Sequence, residues 1–146
     1  MGLIADIGSG RTAIDTSLFI YFMEDDPRFS PLVEPLFQQA DAGKRELVTS
    51  ALTLLEVLVV PYRADDQSLA DRYEQLLTRS RGILVIDLSR DQLRDAAQLR
   101  AATGVKTPDA LQLAAGIGSG CSAFVTNDRR IPKIPGLRIL RLADYA

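Results

Sequence analysis

Thr12-Ala13-Ile14-Asp15 reads as a short strand, and Thr16-Ser17 then opens the apolar stretch Leu18 to Met23 as a helix. The first carboxylate therefore sits where a strand hands over to a helix. The pattern recurs near the other end of the chain, where Ala123 to Thr126 reads as a strand and Asn127-Asp128 as turn chemistry.

Between these two stretches, strand and helix signals alternate. Ser30-Pro31 is a helix start, with Ser as N-cap and Pro in the first turn, and Gly43 is its stop. Leu32, Val33, Leu36 and Phe37 are spaced for one helical face. Glu46 to Thr49 reads as a second strand. Leu52 to Val60 reads as a short helix closed by Pro61, although its β-branched residues leave a strand open. Asp65 to Arg81 is a polar helix striped by Leu69, Tyr73, Leu76 and Leu77, and Ile83 to Ile86 is a buried strand. Ser89 caps a further helix, Thr107-Pro108 starts another that runs to about Ile117, and Leu137 to Leu140 is a last short strand. Such alternation implies one α/β domain around a mainly parallel sheet.

The 146 residues leave room for one core, and 47% hydrophobic with 25% charged residues is a globular composition. The lone Cys121 cannot make an internal disulfide, which points to a reducing cytoplasm. No apolar run approaches the ~20 residues that span a bilayer. Residues 1–10 lack a signal-peptide pattern and read as a short leader, open to being mobile, before a single domain over residues 11–146. There is no histidine. That removes Ser-His and Cys-His nucleophile pairs and imidazole-ligated zinc, leaving carboxylates, lysine, hydroxyls or an oxygen-held metal to carry any chemistry.

Four acids stand in unusual places. Asp15 and Asp128 follow the carboxyl ends of strands, where open parallel sheets form their ligand crevices. Taken singly, each also suits a cap or turn. Glu56 is enclosed by Leu54, Leu55, Val57 and Leu58, so it needs a cation, a metal or a shifted pKa, unless it lies on the rim of its helix. Asp109 falls in the first turn after Thr107, where it complements the helix dipole and stays ionised. Together the four suggest an oxygen-only site for Mg²⁺ or Mn²⁺.

Ala13-Ile14-Asp15-Thr16-Ser17, Leu54-Leu55-Glu56, Thr107-Pro108-Asp109-Ala110-Leu111 and Val125-Thr126-Asn127-Asp128-Arg129-Arg130 resemble the four acidic motifs of PIN-domain ribonucleases, and above all of the VapC-type toxins of toxin–antitoxin pairs. The resemblance runs in order from Arg11 through nearly the whole chain. Ile131 departs from it, standing where an aromatic residue often follows the fourth motif. It implies a three-layer α/β fold with a central, mainly parallel twisted sheet flanked by helices. It also implies metal-dependent hydrolysis of RNA phosphodiesters, with Asp15, Glu56, Asp109 and Asp128 as catalytic, metal-holding carboxylates, Thr126 as a supporting hydroxyl, and Thr16 or Ser17 assisting near the first acid. A cognate antitoxin and a homodimer are the partners it implies. Phe19 to Met23 read as core, near the helices that form dimer and antitoxin surfaces in such families.

Charge placement adds to this. The net charge is −2, so without the four acids the rest of the chain carries +2. Arg129, Arg130, Lys133, Arg138 and Arg141 follow Asp128 with no acid between them, and Arg129, Arg130 and Lys133 are the candidates to track an RNA backbone; a merely solvated surface is the alternative. Three rival functions remain: a catalytically silent RNA-binding or regulatory module on the same fold, a receiver-like Mg-binding phosphoacceptor switch, and a DNA-directed flap-type nuclease, which normally needs more chain for substrate-threading elements. The second fits poorly, because Lys133 lies in irregular sequence.

Overall fold

Ala13 and Ile14 point to opposite faces of a strand, and in the computed structural model, which describes residues 2–146, each lands in a different core. Their strand, β1 (Thr12–Ile14), lies at the centre of a five-stranded, all-parallel sheet with β2 (Leu47–Ser50), β3 (Ile83–Ile86), β4 (Ala123–Thr126) and β5 (Arg138–Arg141). The order is β3-β2-β1-β4-β5. Strands β1, β2 and β4 are buried at every position, as helix-covered parallel strands are. The last two, β3 and β5, are edges. That is why Ile83 to Ile86, read as a buried strand, are only half-buried.

One face carries α1 (Leu3–Ile7), α2 (Thr16–Met23), α3 (Ser30–Asp41), α4 (Leu52–Arg63) and α5 (Gln67–Arg79), gathered around Ile14, Leu47 and Val125. On the other, α6 (Arg90–Thr103) and α7 (Thr107–Gly118) enclose Ala13, Val48 and Phe124. A 3-10 helix (Leu142–Asp144) follows β5. The result is the three-layer α/β fold with a parallel central sheet that the resemblance implies. Among the described residues, no helix is long and apolar enough to cross a membrane.

Two expectations change. Met1 lies outside the described residues, but residues 3–7 of the expected leader form α1, with Leu3 and Ile7 buried in the core. The helix is tied down from several sides: Arg138 donates to the carbonyls of Asp6 and Ile7, the Tyr145 hydroxyl to Asp6 Oδ2 (2.6 Å), and Arg45 to the Gly8 carbonyl (2.8 Å). Arg138 is thereby committed to structure, and Arg141 pairs with Asp144 at 2.9 Å. Lastly, α4 does not stop at Pro61 but runs to Arg63. The ring holds φ near the helical value, and because Pro61 lies two residues from the end, little helix remains beyond the bond and the close carbonyl contact it costs.

Gly116 sets how closely α7 approaches β1. A Cβ there would lie 2.8 Å from the Cβ of Ala13, whereas one at Gly118 would meet only the flexible end of Gln92 at 3.0 Å. Gly116→Ala should therefore destabilise by about 1–3 kcal/mol, the cost of overpacking. Gly118→Ala should instead stabilise by about 0.4–1 kcal/mol. Urea unfolding of the two variants checks the opposite signs.

Candidate active site

Moving outward from β1 toward β3, and then back across β1 to β4, the chain reverses direction between β1 and β4. Open parallel sheets bind ligands at the carboxyl ends of strands beside such a switch. Asp15 lies one residue past β1, and Asp128 two residues past β4. A cavity of about 430 Å³ opens there, lined by Asp15, Glu56, Asp109 and Asp128 together with Lys106 and Gln112. The four acids thus come from the junction of β1 and α2, from α4, from α7 and from the loop after β4 to one space.

Asp15 caps α2, accepting the Ser17 N–H at 3.1 Å and the Ser17 hydroxyl on Oδ1, while Thr126 donates its hydroxyl to Oδ2. Thr126 Oγ1 in turn accepts the Asp128 N–H at 3.0 Å, which joins the first and fourth acidic segments. Thr16, expected beside Asp15, donates instead to Glu56 Oε1 at 2.6 Å. Position 16 is in the first turn of α2, facing α4, whereas Ser17 folds back on its own cap.

Burial raises the pKa of Asp15; the Ser17 and Thr126 hydrogen bonds oppose this, and the Asp128 charge adds to it. Asp109 is raised as well, by burial and then by Asp128, with Arg130 in opposition. Asp128 goes the other way, held down by Arg130. That arginine forks onto it, with Nε 3.0 Å from Oδ1 and Nη2 2.9 Å from Oδ2. Arg129 and Lys133 are exposed and do not line the cavity. Cys121 is no rival nucleophile: burial pushes its thiol up to about 11.

Among the described residues, no three acids converge tightly enough to form a ready cage for an ion. The donor set nevertheless fits Mg²⁺ or Mn²⁺. All its ligands are oxygens, enclosed carboxylates repel one another in the absence of a cation, and Mg²⁺ characteristically keeps several waters rather than entering an all-protein cage.

Some cavity residues carried little signal in the sequence. Lys106 stands exposed on the rim at the start of α7. Tyr21, which read as core, meets the Asn127 amide through its hydroxyl at 3.2 Å. Gln112, an amide inside the apolar run Ala110 to Ala115, was the one visible irregularity.

Comparison with known proteins agrees with this architecture. No curated protein matches the sequence. Among solved structures, the fold is shared with VapBC2 from Rickettsia felis bound to a DNA fragment from their promoter (17% identity, 90% of this chain and 98% of that chain, TM-score 0.68). It is shared with DNA-bound VapBC from Salmonella typhimurium (23%, 91% and 98%, 0.64). The sarcin-ricin-loop-cleaving toxin VapC20 from Mycobacterium tuberculosis is also similar (16%, 77% and 86%, 0.63). The profile of the PIN domain family matches residues 12–137, from the first residue of β1 to the residue before β5. With that match spanning the sheet core and all four acidic segments, the chain belongs to the PIN domain family.

Proposed function

We propose that this protein is an endoribonuclease that hydrolyses RNA phosphodiesters with Mg²⁺ or Mn²⁺, acting in the cytoplasm as the toxin of a toxin–antitoxin pair. The observation that carries the proposal is the meeting of Asp15, Glu56, Asp109 and Asp128 in one cavity at the switch point of the sheet. Desolvation and mutual repulsion there make a cation the natural occupant.

A divalent ion, when bound, supplies Lewis acidity toward the phosphodiester and lowers the pKa of the attacking water. The chain's own groups prepare the ground. Ser17 and Thr126 fix both oxygens of Asp15, and Thr16 fixes one oxygen of Glu56. The amino end of α7 and the exposed Lys106 present positive charge to a phosphate on one wall, while on the other Arg130 is paired with Asp128. Toxin neighbours in complex with their antitoxins support a protein partner. So does the exposed apolar stripe Leu55, Val59 and Tyr62 on α4, the kind of surface that marks contact sites. A homodimer belongs to the same proposal.

The purified chain should cut a single-stranded RNA oligonucleotide with Mn²⁺ and leave it intact in EDTA. Asp109→Asn should abolish the cut. Mn²⁺ should also raise the melting temperature, by the equivalent of about 2.7 kcal/mol at a hundred times its Kd, and Asp109→Asn should shrink that increment. Cleavage that persists in EDTA overturns the metal role. The Arg130 fork, which engages both oxygens of Asp128, favours a second reading, a silent RNA-binding module. RNA binding without cleavage at any Mn²⁺ concentration would select it.

A further inference from the structure

Gln112 is only 4% exposed, and its amide lies in a ring of partners from three other elements. Oε1 accepts the Ser50 N–H and the Thr49 hydroxyl, both at 3.1 Å. Nε2 donates to Thr53 Oγ1 at 2.8 Å and to Thr16 Oγ1 at 3.4 Å. A backbone N–H can only donate, so the bond from Ser50 settles which end of the amide faces β2. The NH₂ group must then face α2 and α4.

That polarity dictates the hydroxyl protons. Thr16 receives an N–H from Gln112, and an ionised carboxylate can only accept, so the single Thr16 proton goes to Glu56 Oε1. The Thr49 proton goes to Gln112 Oε1. Thr53 has acceptors in Thr49 (2.7 Å) and Thr16 (3.0 Å). The Thr53 proton closes the ring to either neighbour, whereas the link from Gln112 through Thr16 runs one way, toward Glu56. Asp109 stands three residues before Gln112 on the same helix, so α7 carries one acid and the group that orients another.

We propose that Gln112 is a positioning residue: through Thr16 it ties Glu56 Oε1 inward and leaves Oε2 to face a divalent cation in the cavity. The inference rests on the proposed metal-dependent reading of the site. Partners of this kind, one step removed from the ligands, typically change metal affinity by about 10–100-fold.

The test is isothermal titration of Mn²⁺ into the full chain and into Gln112→Leu, Thr16→Val and the double variant, with RNA cleavage measured beside it. Each single variant should raise the Mn²⁺ Kd about tenfold while KM for RNA holds, and the double variant should be no worse than either single, because both break one chain of bonds. Thr16→Val leaves the Gln112 contacts to Thr49, Ser50 and Thr53 in place, so it stands as the test if Gln112→Leu does not fold. A purely structural Gln112 would lower the melting temperature with Mn²⁺ affinity unchanged, and that result, or additive losses, overturns the proposal. Wild-type protein that binds Mn²⁺ but cuts no RNA would overturn the nuclease reading alone, and the affinities would still decide the role of Gln112.

Discussion

Asp15→Asn should reduce RNA cleavage by about 10²–10³-fold, the scale of losing one preorganised electrostatic contact, and at the same time raise the melting temperature of the metal-free protein. The two effects share a cause. Asp15 is enclosed, and its pKa is raised mainly by burial, so the ionised form is disfavoured in the folded state. Asparagine removes that charge yet still accepts from Ser17 at Oδ1; Thr126, which already accepts from the Asp128 N–H, needs only to turn its hydroxyl.

The same cause sets the pH dependence. Between its unfolded value and its raised folded value, Asp15 binds a proton more tightly in the folded state. Its contribution therefore favours folding while the group is protonated, and is lost as pH rises through the folded pKa. Asp109 has the same sign; Asp128, whose pKa is lowered, has the opposite one, its contribution being present above the ordinary carboxylate range and lost only as pH falls below it. In EDTA the wild type should thus lose stability on going upward from about pH 4, and Asp15→Asn should lose less. Thermal melts in EDTA across that range measure it. A variant that is fully active, or less stable than wild type at neutral pH, would remove Asp15 from the role given it here.

Gly82→Ala should be the most damaging single methyl group in the fold. Gly82 has φ +78°, and a Cβ there would lie 2.5 Å from the carbonyl oxygen of Ala40 at the end of α3. The backbone cannot slide away, because the Gly82 carbonyl accepts the Leu47 N–H at 2.8 Å where β2 begins. Left-handed strain costs about 1–3 kcal/mol and overpacking about as much again, so the loss should reach about 2–6 kcal/mol. For a chain of this size that lowers the melting temperature by roughly 10 °C or more. Gly104→Ala isolates the strain, since Gly104 also has positive φ (+73°) but nothing stands within 4 Å of its would-be Cβ. Equal losses in the two variants would show that the Ala40 carbonyl yields.

The sequence carried the order of elements well, because strands buried on both faces are continuous apolar runs, and caps such as Ser89 announce their helices. It carried less where a local rule met tertiary contact. Pro61 marks a helix end in isolation, but one lost N–H so near the terminus stops nothing. The short apolar segment Leu3 to Ile7 has no stability of its own and is helical because the core, Arg138 and Tyr145 hold it. Glu56 stood out as a charge among apolar neighbours, and the other three acids by standing at strand ends or a helix start. Gln112 and Thr16 did not, because neutral polar side chains reveal their partners only once α7, β2, α2 and α4 are brought together. Likewise, the fork of Arg130 onto Asp128 was hidden in what read as an uninterrupted basic stretch.

The strand order has a consequence for how the protein is made. As the chain leaves the ribosome, β2 is available to β1 early, but β4, the other neighbour of β1, is synthesised more than a hundred residues later. Thr126, which fixes Asp15, and Asp128 arrive with it. Domains assemble from the amino end during synthesis. A nascent chain therefore has β1 and β2 in hand well before β4, and the four acids can share one cavity only after β4 and the loop behind it have been made.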